Sequence, residues 1–122
     1  MNCPALVLEI KCSRPDAEKF FRSLPRGKLV WAIDRIYEEP AIFSLGGEKF
    51  KVYWPTDKYT DNEYVAHSGE PNTLAIVYEM EDYSDDFTFE VLASVFPIMT
   101  YMQKEANNRG LSSKGYVSSY HD

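Results

Sequence analysis

Residues 5–12 read ALVLEIKC and residues 13–18 continue SRPDAE, and the step from one to the other decides the fold class. The first segment alternates, with Leu6, Leu8, Ile10 and Cys12 on one face and Val7, Glu9 and Lys11 on the other, which is the period of a β-strand. In the second segment Ser13 is a helix N-cap and Pro15 suits a first turn, where no intrahelical partner awaits its missing N–H. Asp16 and Glu18 complement the positive end of the helix dipole. A short helix is therefore expected over residues 14–24, stopped by Pro25 and Gly27. Leu29, Trp31 and Ile33 then alternate against Val30, Ala32 and Asp34 across residues 28–37, completing a β-α-β unit.

The same order recurs near the C-terminus. Residues 73–81 place Leu74, Ile76, Tyr78 and Met80 on one face of a strand, and Ser84, Asp85 and Asp86 follow as a cap and acidic first turn. Phe87, Val91, Val95, Met99, Met102 and Ala106 recur at intervals of three or four, which predicts a helix over residues 85–108 that ends at Asn107, Asn108 and Gly110. Pro97 must kink that helix or begin a second one, and residues 86–94 alternate well enough to suit a strand instead. Residues 116–120 offer a last short strand. Between the halves, Gly46 and Gly47 punctuate a hairpin over residues 41–54, in which Phe50, Val52 and Trp54 alternate against Lys49, Lys51 and Tyr53. Residues 56–72 are polar and aperiodic, a long loop of the kind that is more often functional or mobile than idle. The expected architecture is α+β: a ferredoxin-like β-α-β / β-α-β sandwich, an antiparallel sheet with two helices, with the hairpin and long loop inserted between its halves.

At 122 residues, 44% of them hydrophobic and with nine Tyr, seven Phe and two Trp, residues 1–122 are expected to form a single domain around one core. The longest apolar runs are a few residues, far below the ~20 needed to span a bilayer. No basic stretch followed by a long apolar one opens the chain, so a cytoplasmic location is expected. Cys3 and Cys12 match neither a redox pair nor a zinc site; in an extended strand they stand about 30 Å apart, so reduced thiols are expected.

Chemistry-bearing motifs are missing from the sequence: no GxxxxGK[ST], no GxGxxG after a strand, no HExxH, no GxSxG and no calcium-loop spacing. His67 and His121 fall in the long loop and at the second-last position, and Cys12, on an apolar strand face, reads as packing rather than as a nucleophile. The expectation is a protein that is not an enzyme, with no catalytic residues, metal or cofactor.

Charge is more informative. Residues 1–61 hold ten Lys or Arg against nine Asp or Glu, whereas residues 62–122 hold three against ten, so nearly all of the net −6 lies in the second half. Glu79, Glu81, Asp82, Asp85, Asp86 and Glu90 form a run with no basic residue among them, and Tyr78, Tyr83, Phe87 and Phe89 lie in or beside it. Such a run is a solvated helix-capping face, a surface for a basic partner, or, with the wrong spacing for a calcium loop, a divalent-metal site. Interleaved aromatics are what interface hot spots look like, which favours a partner. Glu79, Glu81, Asp82, Tyr83, Asp85, Asp86 and Glu90 are accordingly the candidate partner-binding residues.

In general make-up the chain resembles small acidic proteins of microbial or phage origin that inhibit nucleic-acid-binding enzymes, such as immunity proteins and anti-CRISPR inhibitors of host defence nucleases. That resemblance, purely compositional, implies an inhibitor whose carboxylates occupy a basic groove on a nuclease or nucleic-acid-binding complex. A second class of function rests on Lys49, Lys51, Tyr53, Lys58 and Tyr59, basic and aromatic residues of the kind that hold single-stranded nucleic acid, although a net charge of −6 repels a phosphate backbone. A third is a ligand-sensing domain or small enzyme with residues 56–72 as its lid. Exposed strand edges leave a dimer open.

Overall fold

A computed structural model describes residues 2–30, 41–53, 72–79 and 88–121. Strand β1 (Asn2–Lys11) is longer than its alternating core, and helix α1 (Arg14–Ser23) begins where the sequence signals it: the Ser13 side chain accepts from the Asp16 N–H at 3.3 Å, with Pro15 in the first turn. Ala17, Phe20 and Phe21, three or four residues apart, form the buried stripe of α1. The chain then supplies β2 (Lys28–Val30), β3 (Ala41–Leu45), β4 (Glu48–Tyr53) and β5 (Thr73–Glu79), followed by helix α2 (Phe89–Asn108) and strand β6 (Ser112–His121). Gly46 and Gly47 join β3 to β4 with φ of 63° and 83°, the left-handed pair that a two-residue hairpin turn requires, and so fix the register at Leu45 opposite Glu48.

All six strands form one antiparallel sheet in the order β2-β3-β4-β5-β1-β6. Strand β1 lies between β5 and β6, and α2 crosses β1 to connect them. Helix α1 carries the chain from β1 to the far edge at β2, from which β2, β3, β4 and β5 return as a meander. The molecule is thus α+β with an antiparallel sheet and two helices, but its strand order is not the usual ferredoxin-like one. The expected insertion between the halves is not a separate appendage: hairpin β3-β4 pairs into the same sheet, because β4 lies against β5 with Val52 opposite Ile76.

Both faces of the central strands are buried. The helix-bearing face packs Leu6, Leu8 and Ile10 of β1, Phe43 of β3, Phe50 and Val52 of β4 and Leu74 and Ile76 of β5 against α1 and against Val95, Met99, Met102 and Ala106 of α2. Phe21 meets Phe43 with ring centroids 4.9 Å apart, and Phe50 meets Tyr78 at 6.0 Å. The opposite face buries a smaller cluster of Ala5, Val7, Tyr53, Ala75 and Val77, with Tyr116 packed against it.

Two local expectations are revised, the cap of α2 and the length of the last strand, and the alternatives left open around Pro97 and residues 86–94 are decided in favour of the expected helix. Helix α2 is capped by Thr88, whose side chain accepts from the Val91 N–H at 3.3 Å, so Asp85 and Asp86 precede the cap and Glu90 is the acid of the first turn. Residues 89–94 are helical rather than extended, because Val91 joins the stripe that Val95, Met99 and Met102 continue in the core. Pro97 stands inside the continuous helix and withholds one backbone donor from its ladder. The last strand runs ten residues and not five, because all ten pair with β1. The expected long loop at 56–72, apart from Asn72 at its end, and most of the strand expected over 28–37 lie outside the described residues.

Candidate functional site

Glu79 ends β5 on the sheet face away from the helices, in the register row that also contains Ala5 of β1 and Ser118 of β6. The adjacent row joins Lys51 of β4 to Val77 and Val7, and the next joins Tyr53 to Ala75, Glu9 and Lys114. Antiparallel pairing therefore brings two sets of candidate residues together that the sequence kept apart. The Lys51 Nζ donates to Glu79 Oε2 at 2.8 Å, and the Tyr53 hydroxyl donates to Glu79 Oε1 at 3.4 Å. Lys51 remains about two-fifths exposed, so solvent screening holds the pair to roughly 1 kcal/mol or less of stability. Its consequence is electrostatic: the Glu79 carboxylate is matched within the fold, and Lys51 is equally matched.

Tyr53 departs from its expected place on an exposed face. It is 6% exposed and belongs to the second apolar cluster, because its neighbour across the sheet is Ala75, which leaves room for the ring. A side chain so covered offers no face on which a base can stack. Of the basic and aromatic set, Lys49 is exposed in β4, while Lys58 and Tyr59 lie outside the described residues.

The other acidic candidates divide in the same way. Glu81, Asp82, Tyr83, Asp85 and Asp86 lie outside the described residues, and Glu90 is exposed in the first turn of α2. Beside it Phe89 is 91% exposed. The stripe that seats α2 uses Val95, Met99, Met102 and Ala106, and Phe89 falls off that stripe. Phe96, one heptad on, shares its side of the helix and is also exposed. Spacing alone, checked against the core stripe, locates both; pattern reading that looks only for the buried face passes over them. Tyr78, another aromatic of the acidic run, instead turns inward onto Phe50.

Cys12 sits at the end of β1 in the main core, where its backbone N–H donates to the Asn72 carbonyl at 2.9 Å. Burial, reinforced by the nearby Asp16 carboxylate, pushes its thiol up to about 11 from an ordinary 9.0. At pH 8 this lowers the thiolate fraction about 100-fold. Peptide-resolved alkylation should accordingly find Cys12 about 100-fold slower in the native chain than in urea, and equal rates would contradict its packing. The linkage follows from the same shift. Below pH 9 the thiol is neutral in both states; between about 9 and about 11 only the unfolded chain ionises, so this group's contribution to stability falls as the pH rises through that window.

Among the described residues no group of three or more His, Cys, Asp or Glu converges as a metal ion would need, and no helix is long and apolar enough to cross a membrane. The chain matches no protein-family model, and neither a curated protein nor a solved structure matches it significantly.

Proposed function

We propose that this chain is a protein-binding module of the inhibitor or immunity type, whose acidic, aromatic surface around the start of α2 blocks a basic, nucleic-acid-binding partner. The observation that carries the reading is Phe89, 91% exposed and adjacent to the exposed Glu90. A phenyl ring left in water at a helix start contributes nothing to this fold, yet it is the kind of anchor that an interface buries at its centre. The excess of ten acids over three bases in residues 62–122 supplies the complementary field, which accelerates encounter with a basic groove at low ionic strength. A ferredoxin-like reading of the scaffold is part of the same proposal, supported by the split β5-α2-β6 crossover around β1.

The test is capture from a host lysate at low and high salt, with Phe89→Ala and the triple variant Asp82→Asn, Asp85→Asn, Asp86→Asn as comparisons. A basic protein should be retained at low salt by the native chain. The triple variant should slow its association and flatten the salt dependence, and Phe89→Ala should weaken affinity by about 2 kcal/mol, roughly 30-fold. Retention that is indifferent to both variants, or retention of nucleic acid alone, would sink the proposal; labelled single-stranded DNA and RNA, titrated at low salt, separate the second case directly.

A further inference from the structure

Strand β6 (Ser112–His121) closes one edge of the sheet: β1 pairs along one side of it, and among the described residues nothing pairs along the other. Ser112, Lys114, Gly115 and Val117 are all exposed. Edge strands in water are normally blunted by proline, bulges or several charges, yet residues 112–120 contain no proline and one charge, Lys114. In a chain of net charge −6, β6 also carries no Asp or Glu.

The helix-bearing side of this edge is unfinished as well. Between helix α2 and strands β1 and β6 lies a groove of about 300 Å³ lined by Leu6, Leu8, Phe96, Met99, Gly115 and Val117. Val117 is 61% exposed and Phe96 44%. Gly115 opens the floor of the groove: a Cβ there would meet only the Val7 carbonyl oxygen, at 3.9 Å, so the chain's own packing does not demand a glycine.

We infer that β6 and this groove form a two-fold interface with a second copy of the same chain, the two β6 strands pairing antiparallel about Tyr116 and joining two sheets into one. The strand is complementary to itself in that register. Pairing about Tyr116 sets Val117 opposite Gly115 of the other copy, so each exposed valine meets the other's open floor. It sets Lys114 opposite Ser118, keeping the like charges apart, and brings the two Tyr116 rings together as a cross-strand pair. Because a two-fold perpendicular to the sheet keeps the helices on one face, both Phe96 side chains are drawn towards the axis and out of water. The extent is sufficient: the nine residues paired in this register, about 30 Å long and backed by a sheet and a helix layer each about 10 Å deep, present roughly 600 Å² per copy, at the lower bound of ~1,200 Å² in total for stable interfaces. This inference is independent of the Phe89 surface.

Sedimentation at about 100 µM, where a micromolar dimer is saturated, is expected to give twice the chain mass. Val117→Lys, at an already exposed position, should restore the monomer mass, about a twofold drop, with an unchanged circular dichroism spectrum. Register is read separately: under mild oxidation Tyr116→Cys should cross-link to its own copy, whereas Ser118→Cys, which would face Lys114, should not. A native chain that sediments as a monomer, a Val117→Lys chain that keeps the dimer mass, or cross-linking through Ser118→Cys in preference to Tyr116→Cys would each overturn the inference.

Discussion

The Phe43→Ala chain is expected to be less stable than the native one by about 3–5 kcal/mol, the usual cost of removing a buried phenyl ring. Phe43 is fully buried in β3, its ring 4.9 Å from that of Phe21 on α1 and filling the space that Gly27 leaves by having no side chain. It is the contact through which α1, emerging from β1, is held over a strand three places away in the sheet. Total stability of a domain this size is about 5–15 kcal/mol, so the loss should lower the urea midpoint by at least about a fifth of its native value, with the slope preserved. Phe89→Ala, the same truncation at a 91% exposed ring, should stay within about 0.5 kcal/mol of the native chain. Similar midpoints for the two variants would mean that α1 is not seated on β3.

The contrast between those two phenylalanines also shows where the sequence is legible. Residues whose environment is set locally read correctly: Ser13 as a cap, Gly46 and Gly47 as a hairpin turn, and the α2 stripe from Val95 to Ala106 all depend on neighbours within a few positions. The order of the strands does not, because it is chosen by pairings such as Val52 with Ile76 and Leu8 with Gly115, in which many alternating segments are equally acceptable partners. Helix α2 is capped at Thr88 and not at the expected Ser84, because a start at Thr88 puts Val91 on the core side, a tertiary contact that composition does not reveal. At the candidate site, an acidic run read along the chain took no account of Lys51, 28 positions away, which antiparallel pairing places against Glu79. Tyr53 is hidden from the sequence for a related reason. Alternation tells which residues share a face and not whether that face is covered, and in this sheet both are.

That second face is the subject of the other large effect. Val77→Lys is expected to cost about 3–5 kcal/mol, because it places an ammonium in a covered site where, among the described residues, the carboxylates of that face, Glu9 and Glu79, are already engaged. Val77 is 0% exposed, with Val7 on one side and Lys51 on the other, so the nearest cross-strand charge repels the new one. Glu79, two residues along β5 and on the same face, is already engaged by Lys51 and Tyr53. Were this the solvated side of a two-layer sandwich, as alternating antiparallel strands often are, the same substitution would change stability by about 0.5 kcal/mol or less. Val77→Met separates volume from charge, since overpacking alone should cost about 1–3 kcal/mol and carry no dependence on pH. The lysine does carry one. Burial depresses its folded pKa below the ~10.4 of the unfolded chain, so between those values the unfolded state holds more protons and stability rises with pH. The difference between Val77→Lys and the native chain, measured by urea unfolding from pH 7 to 10, should therefore narrow as the pH rises, whereas the Val77→Met difference stays flat. A small and flat lysine difference would show that water reaches Val77, and with it the face on which Lys51, Tyr53 and Glu79 meet.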